Sequence, residues 1–110
     1  MLTAHKIKVF QSLDKKKFRQ KYNLFLVEGN KTIKEIPLSR YKIQEIFTIN
    51  PSELGIDGVK IIEISDSELK KISFLQHPKD SVAVCELLEP KFLADVPIQL
   101  VLDGIQDPGN

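Results

Sequence analysis

The residue types able to do chemistry gather in one short stretch. Lys15-Lys16-Lys17-Phe18-Arg19 is followed, after the apolar run Leu24-Phe25-Leu26-Val27, by Glu28-Gly29-Asn30. Lysines supply diffuse attraction for a phosphate backbone, whereas Arg19 can clamp one phosphate through two parallel N–H donors. The apolar run has the pattern of a strand covered on both faces, which puts Glu28, Gly29 and Asn30 at its carboxyl end. Ligands of open α/β sheets gather there. For Glu28, a surface carboxylate favoured by a nearby helix N-terminus is an equally good reading.

Other candidates fall away. Cys85 closes the apolar stretch Val82-Ala83-Val84-Cys85, so it reads as a packed thiol and not a nucleophile. His77 precedes Pro78 in an exposed loop, and His5 sits beside Lys6 near the terminus with no catalytic role. One Cys and two His offer no zinc ligand set. There is no glycine-rich phosphate loop, no paired-carboxylate motif and no Ser/His/Asp grouping. Nothing in residues 1–97 reads as catalytic machinery.

Charge reinforces the first stretch. Residues 1–24 hold seven bases against Asp14 alone, a net +6, and residues 25–110 hold nine bases and fourteen acids, a net −5. The overall +1 hides this asymmetry. A basic arm on an acidic domain is the electrostatic footprint of a phosphate-backbone partner, although a solvated lysine face fits the charge as well. A length of 110 residues with 42% hydrophobic and 28% charged content suits one folded domain and excludes disorder. No apolar run exceeds four residues, which excludes a membrane span, and the first residues lack a secretory stretch. A lone cysteine fits a reducing, cytoplasmic setting.

Several elements must position these residues. Leu2, Ile7, Phe10 and Leu13 follow a helical stripe, and Phe18 and Tyr22, four apart, can share one helix face. Asn30 is placed to cap a helix burying Ile33 and Ile36, which Pro37 keeps short. Strands are expected at 43–49, 59–64 and 81–87. Asn50-Pro51 introduces a short helix stopped by Gly55, and Ser65-Asp66-Ser67-Glu68 has capping-box spacing before Leu69 and Ile72. Alternating strands and helices predict an α/β layered domain with a mostly parallel four-stranded sheet. Prolines at 90 and 97 bound a connector, giving residues 1–88 as a domain, 89–97 as a linker and 98–110 as the start of a second unit.

That last segment is the most specific. Leu100-Val101-Leu102 reads as a strand, broken by Asp107-Pro108-Gly109-Asn110, where Asn110 can cap a helix. The chain is thus expected to be a piece of a longer protein. Together, Lys15-Lys16-Lys17-Phe18-Arg19 with Leu24-Phe25-Leu26-Val27-Glu28-Gly29, the stretch His77-Pro78-Lys79-Asp80-Ser81-Val82-Ala83-Val84, and Leu102-Asp103-Gly104-Ile105-Gln106-Asp107-Pro108-Gly109-Asn110 resemble the SpoU (TrmH-like) RNA ribose methyltransferase family. The resemblance runs in order along nearly the whole chain.

It implies an N-terminal α/β/α sandwich, similar to ribosomal proteins that grip kink-turn RNA, joined to a knotted methyltransferase domain. That second domain would bind S-adenosylmethionine and form a homodimer, moving a methyl group to a ribose 2′-hydroxyl of ribosomal or transfer RNA. Lys15, Lys16, Lys17, Arg19, Glu28 and Asn30 then become the RNA-binding candidates, with Arg19 and Glu28 serving either RNA or the domain's integrity. Asn110 matches the motif asparagine near the reacting ribose. The family's activating arginine and cofactor motifs would follow Asn110, so this stretch alone is expected neither to hold cofactor nor to catalyse. A free-standing RNA-binding module and a protein-interaction domain are the competing readings.

Overall fold

The computed structural model describes residues 2–88. The expected linker at 89–97, the expected second unit at 98–110 and Asn110 lie outside the described residues. Two helices lead the chain, α1 (Ala4–Ser12) and α2 (Lys16–Tyr22). Then come β1 (Phe25–Glu28), α3 (Asn30–Lys34), β2 (Tyr41–Thr48), a 3₁₀ turn at Pro51–Glu53, β3 (Lys60–Glu63), α4 (Asp66–Ile72) and β4 (Ser81–Leu87).

Local chemistry accounts for most of these boundaries. Thr3 caps α1 by accepting the Lys6 N–H at 3.2 Å, satisfying a donor the first turn leaves free. Ser65 and Glu68 form the reciprocal capping box: Ser65 Oγ accepts from Glu68 N at 3.2 Å and Glu68 Oε1 from Ser65 N at 3.0 Å. Asn23, with φ of 55°, ends α2 in the left-handed region that asparagine tolerates. The start of α3 corrects the expectation for Asn30. Gly29 holds the cap position and Asn30 is the first helical residue. Its N–H donates to Asp80 Oδ1 at 2.8 Å, so the capping carboxylate arrives from fifty residues downstream.

The strand order is β1-β4-β2-β3. Strand β4 runs antiparallel to both β1 and β2, and only β2 and β3 are parallel. The mostly parallel sheet expected from the sequence is therefore corrected to a mixed, mainly antiparallel one. The reason is physical: burial on both faces makes a strand continuously apolar whichever way it runs. Residues 81–85 and Leu87 of β4 are all buried, which marks a central position and carries no directional information.

Helices cover both faces, as a layered sandwich requires. Phe10, Leu13, Leu69 and Ile72 from α1, its C-cap and α4 pack on Leu26, Phe47, Val82 and Val84. On the other face, Ile33, Ile36 and Leu54 pack on Phe25, Val27, Tyr41, Ile43, Ile46, Ala83 and Cys85. A bulge at Gln44 changes the phase of β2: Ile43 pairs with Cys85, but Glu45, not Gln44, pairs with Val84. Glu45 consequently faces the α1 side, where Lys6 Nζ meets its Oε1 at 2.8 Å.

Burial pushes the Cys85 thiol from 9.0 up to about 12. The unfolded chain releases this proton first, so the stability from a neutral thiol is whole below pH 9.0 and drains toward about 12. Urea midpoints of the parent and Cys85→Ala, followed across that window, should fall more steeply for the parent. Parallel slopes would show that the buried thiol makes no such contribution.

Candidate nucleic-acid interface

The carboxyl end of β1 is built around charges that face inward. Glu28 is 4% exposed, and its carboxylate accepts from Ser73 Oγ at 2.5 Å and from Phe74 N at 2.8 Å. It thereby fastens the segment leaving α4 to the end of β1. Arg19 is 7% exposed and donates from Nη1 to the Leu13 carbonyl at 2.9 Å, tying α2 to the end of α1. The surface carboxylate considered for Glu28 is thus corrected to a buried one, and Arg19, considered as a phosphate clamp, is likewise buried. Both groups hold protein to protein.

The next three residues form a corner. Gly29 adopts φ of +94°, and its N–H donates to the Ser81 carbonyl at 2.9 Å. A Cβ there would meet only the flexible Lys79 side chain, 2.9 Å from its Cδ, so it is the backbone conformation that calls for glycine. Asp80 organises what surrounds it. Its carboxylate takes the Asn30 N–H, while its carbonyl accepts from Ile49 N and Thr48 Oγ1, each at 3.0 Å. One residue joins the start of α3, the end of β2 and the entry to β4.

An open groove of about 620 Å³ lies over this corner, lined by Gly29, Asn30, Lys31, Thr32, Glu35, Lys79 and Asp80. Asn30 is 5% exposed, and its side-chain Nδ2 and Oδ1 have no hydrogen-bond partner among the described residues. A buried amide without partners carries a desolvation cost that a bound polar group can relieve. It both donates and accepts, which suits a hydroxyl or a base edge.

The lysines of α2 form a separate surface. Lys15 is the N-cap, Lys16 and Lys17 open the helix, and all three are exposed. The first turn holds no acidic residue, and among the described residues none of the three forms an ion pair. Lysines beside free helical N–H groups repel them, a cost that an anion would offset. Phe18 and Tyr22 stack on this helix with centroids 6.4 Å apart and planes 19° apart.

The sequence treated Lys15 to Asn30 as one constellation, and the structure divides it into exposed lysines, buried supports and a groove wall. Lys31, Thr32, Lys79 and Asp80 escaped notice as groove residues. Lys79-Asp80 directly before the apolar β4 run was the available signal, but the contact with Asn30 is too remote in sequence to read. Among the described residues no group of three or more His, Cys, Asp and Glu could hold a metal ion. No helix among them is long and apolar enough to cross a membrane.

Comparisons with known proteins bear on this arrangement. Residues 4–83 match the family described as the MRM3-like substrate binding domain. The chain is 32% identical over 108 residues to the 23S rRNA (guanosine(2553)-2′-O)-methyltransferase RlmP of Bacillus subtilis. The match takes in 96% of this chain and 43% of that protein. An RNA methyltransferase structure assigned to the TrmH family, from Porphyromonas gingivalis, superposes with a TM-score of 0.68 at 29% identity, over 83% of this chain and 38% of that one. An S-adenosylmethionine-bound rRNA methyltransferase from Sinorhizobium meliloti shares the fold at a TM-score of 0.61 and 21% identity, over 78% of this chain and 34% of its own.

Replacing Glu28 with alanine leaves the Ser73 hydroxyl and Phe74 N–H without this acceptor, and should cost about 3 kcal/mol in urea unfolding. Amide exchange at Phe74 should accelerate first. Glu28→Gln keeps an acceptor and should lose less. Gly29→Ala, strained at its φ of +94°, should cost about 1–3 kcal/mol in the same assay.

Proposed function

The chain belongs to the MRM3-like substrate-binding domain family, and from that membership we propose that it is the RNA-binding part of a ribose 2′-O-methyltransferase acting on ribosomal RNA. The observation that carries the reading is the exposed cluster Lys15, Lys16 and Lys17 at the start of α2, without an ion pair among the described residues. Phosphates would relieve its self-repulsion while releasing their own counterions, the main source of nucleic-acid affinity. The groove complements it. Lys31 and Lys79 offer charge, and the Asn30 amide offers the paired donor and acceptor that a ribose hydroxyl or an unstacked base can use. Arg19 and Glu28 support both surfaces from within.

The function proposed for this domain is delivery: it grips structured RNA and presents one ribose to a catalytic domain. Methyl transfer is largely a matter of alignment, so a fixed grip contributes directly to rate. S-adenosylmethionine would supply the methyl group. The groove does not fit it, since its lining has no apolar or aromatic wall for adenine. Its site is assigned to the remainder of the protein, because the chain spans 43% of the length of its relative. On this reading residues 89–97 connect the domains, residues 98–110 open the catalytic one with Asn110 near the reacting ribose, and the protein dimerises through that domain in the cytoplasm.

The test has two arms. A protein carrying this chain ahead of its catalytic domain should transfer labelled methyl groups from S-adenosylmethionine to 23S rRNA, and the 110-residue chain should bind that RNA without transferring any. Neutralising Lys15, Lys16 and Lys17 to glutamine should weaken binding and flatten its salt dependence by roughly 0.7–0.9 for each phosphate released. Unchanged affinity and slope would reduce the lysines to a solvated face. RNA binding without transfer by the longer protein would favour a free-standing module.

A further inference from the structure

The sequence Lys15-Lys16-Lys17-Phe18-Arg19-Gln20-Lys21-Tyr22 interleaves cations with two aromatic rings. Folding turns Arg19 inward, half-buries Phe18 and leaves the lysines, Gln20 and Tyr22 exposed. Phe18 is half-buried and supports Tyr22, which is 38% exposed although it is a large aromatic side chain. Each ring has a lysine ammonium close by: Lys17 Nζ is 5.0 Å from the Phe18 centroid and Lys21 Nζ is 5.4 Å from that of Tyr22. A Phe–Tyr pair four residues apart stabilises a helix slightly, which explains the stack but not the exposure.

We propose that Tyr22, braced by Phe18, is a stacking platform for one unpaired base of the bound RNA, with Lys17 and Lys21 receiving the adjoining phosphates. The proposal rests on the RNA-binding reading and deepens it by naming the feature recognised: an unstacked nucleotide in a loop or bulge, not a continuous duplex. Three properties of the surface point to this occupant. The ring is flat and reachable. The charged residues of α2 are all basic, which suits a polyanion and disfavours a cationic or neutral apolar partner. Aromatic faces flanked by cations accept any base by stacking, with backbone attraction alongside. Lysines held over the rings in the free protein would exchange a cation–π contact for a phosphate as the base arrives.

The chain contains no tryptophan, so Tyr22→Trp introduces a single reporter that preserves stacking. The 110-residue variant is titrated with an RNA hairpin carrying an unpaired adenine loop, and separately with the blunt duplex of its stem. Fluorescence quenching is expected with the hairpin alone. Tyr22→Ala should weaken hairpin binding at least about fivefold, the low end of measured stacking effects, and Tyr22→Phe should restore it. Duplex affinity should be the same in all of them. If Tyr22→Ala binds both RNAs like the parent, or weakens on both equally, the platform is overturned. When the triple lysine variant fails to bind the hairpin while Tyr22→Ala still does, the stacking proposal fails and the RNA-binding domain stands. Absence of binding by the parent chain to either RNA removes both.

Discussion

Everything in this domain depends on β4 lying between β1 and β2. That strand is contributed late in the described chain, yet it pairs with both and buries side chains on each face of the sheet. Its placement is secured at its entry by Asp80, whose carboxylate and carbonyl reach the neighbouring elements on either side. These contacts join residues tens of positions apart, so the loops they close must be ordered before the corner exists. The groove is therefore a product of the whole fold. No local segment could form it alone.

A division of labour follows among the charged groups. Water is excluded from Arg19 and Glu28, and each satisfies backbone or hydroxyl groups that burial would otherwise leave wanting. Lys15, Lys16 and Lys17 keep their hydration and their mutual repulsion. The first kind of charge stiffens the frame, and the second creates a field that extends about a Debye length into solvent. Asn30 belongs to neither kind. Its backbone is spent on structure while its side chain is left unsatisfied, the pattern expected where a binding surface retains cost in the free protein.

The elements were legible wherever a short-range rule governs them. Capping at Ser65 and Glu68, the apolar stripe through Phe10 and Leu13, and four strands near their observed positions all rest on neighbours within a turn or a pleat. Strand direction was not legible, because β1 and β4 are buried on both faces and their composition is indifferent to orientation. The basic arm was read correctly as charge, but its geometry was not. Position 19 falls on the inward side of α2, something a run of cations conceals. Asn30 was misassigned as a cap because a better acceptor, Asp80, lay out of sight in the sequence.

The extra residue at Gln44 has a consequence for how this family is compared. Before it, alternate positions Tyr41 and Ile43 point to one core; after it, Ile46 does so and the odd-numbered Glu45 and Phe47 point to the other. Inside and outside are thus written in opposite parity along the two halves of a single strand. A relative lacking the insertion must be aligned with a gap at this point. Without one, every position on one side of it is compared with a residue from the wrong face, and a covariation signal there would report the misalignment.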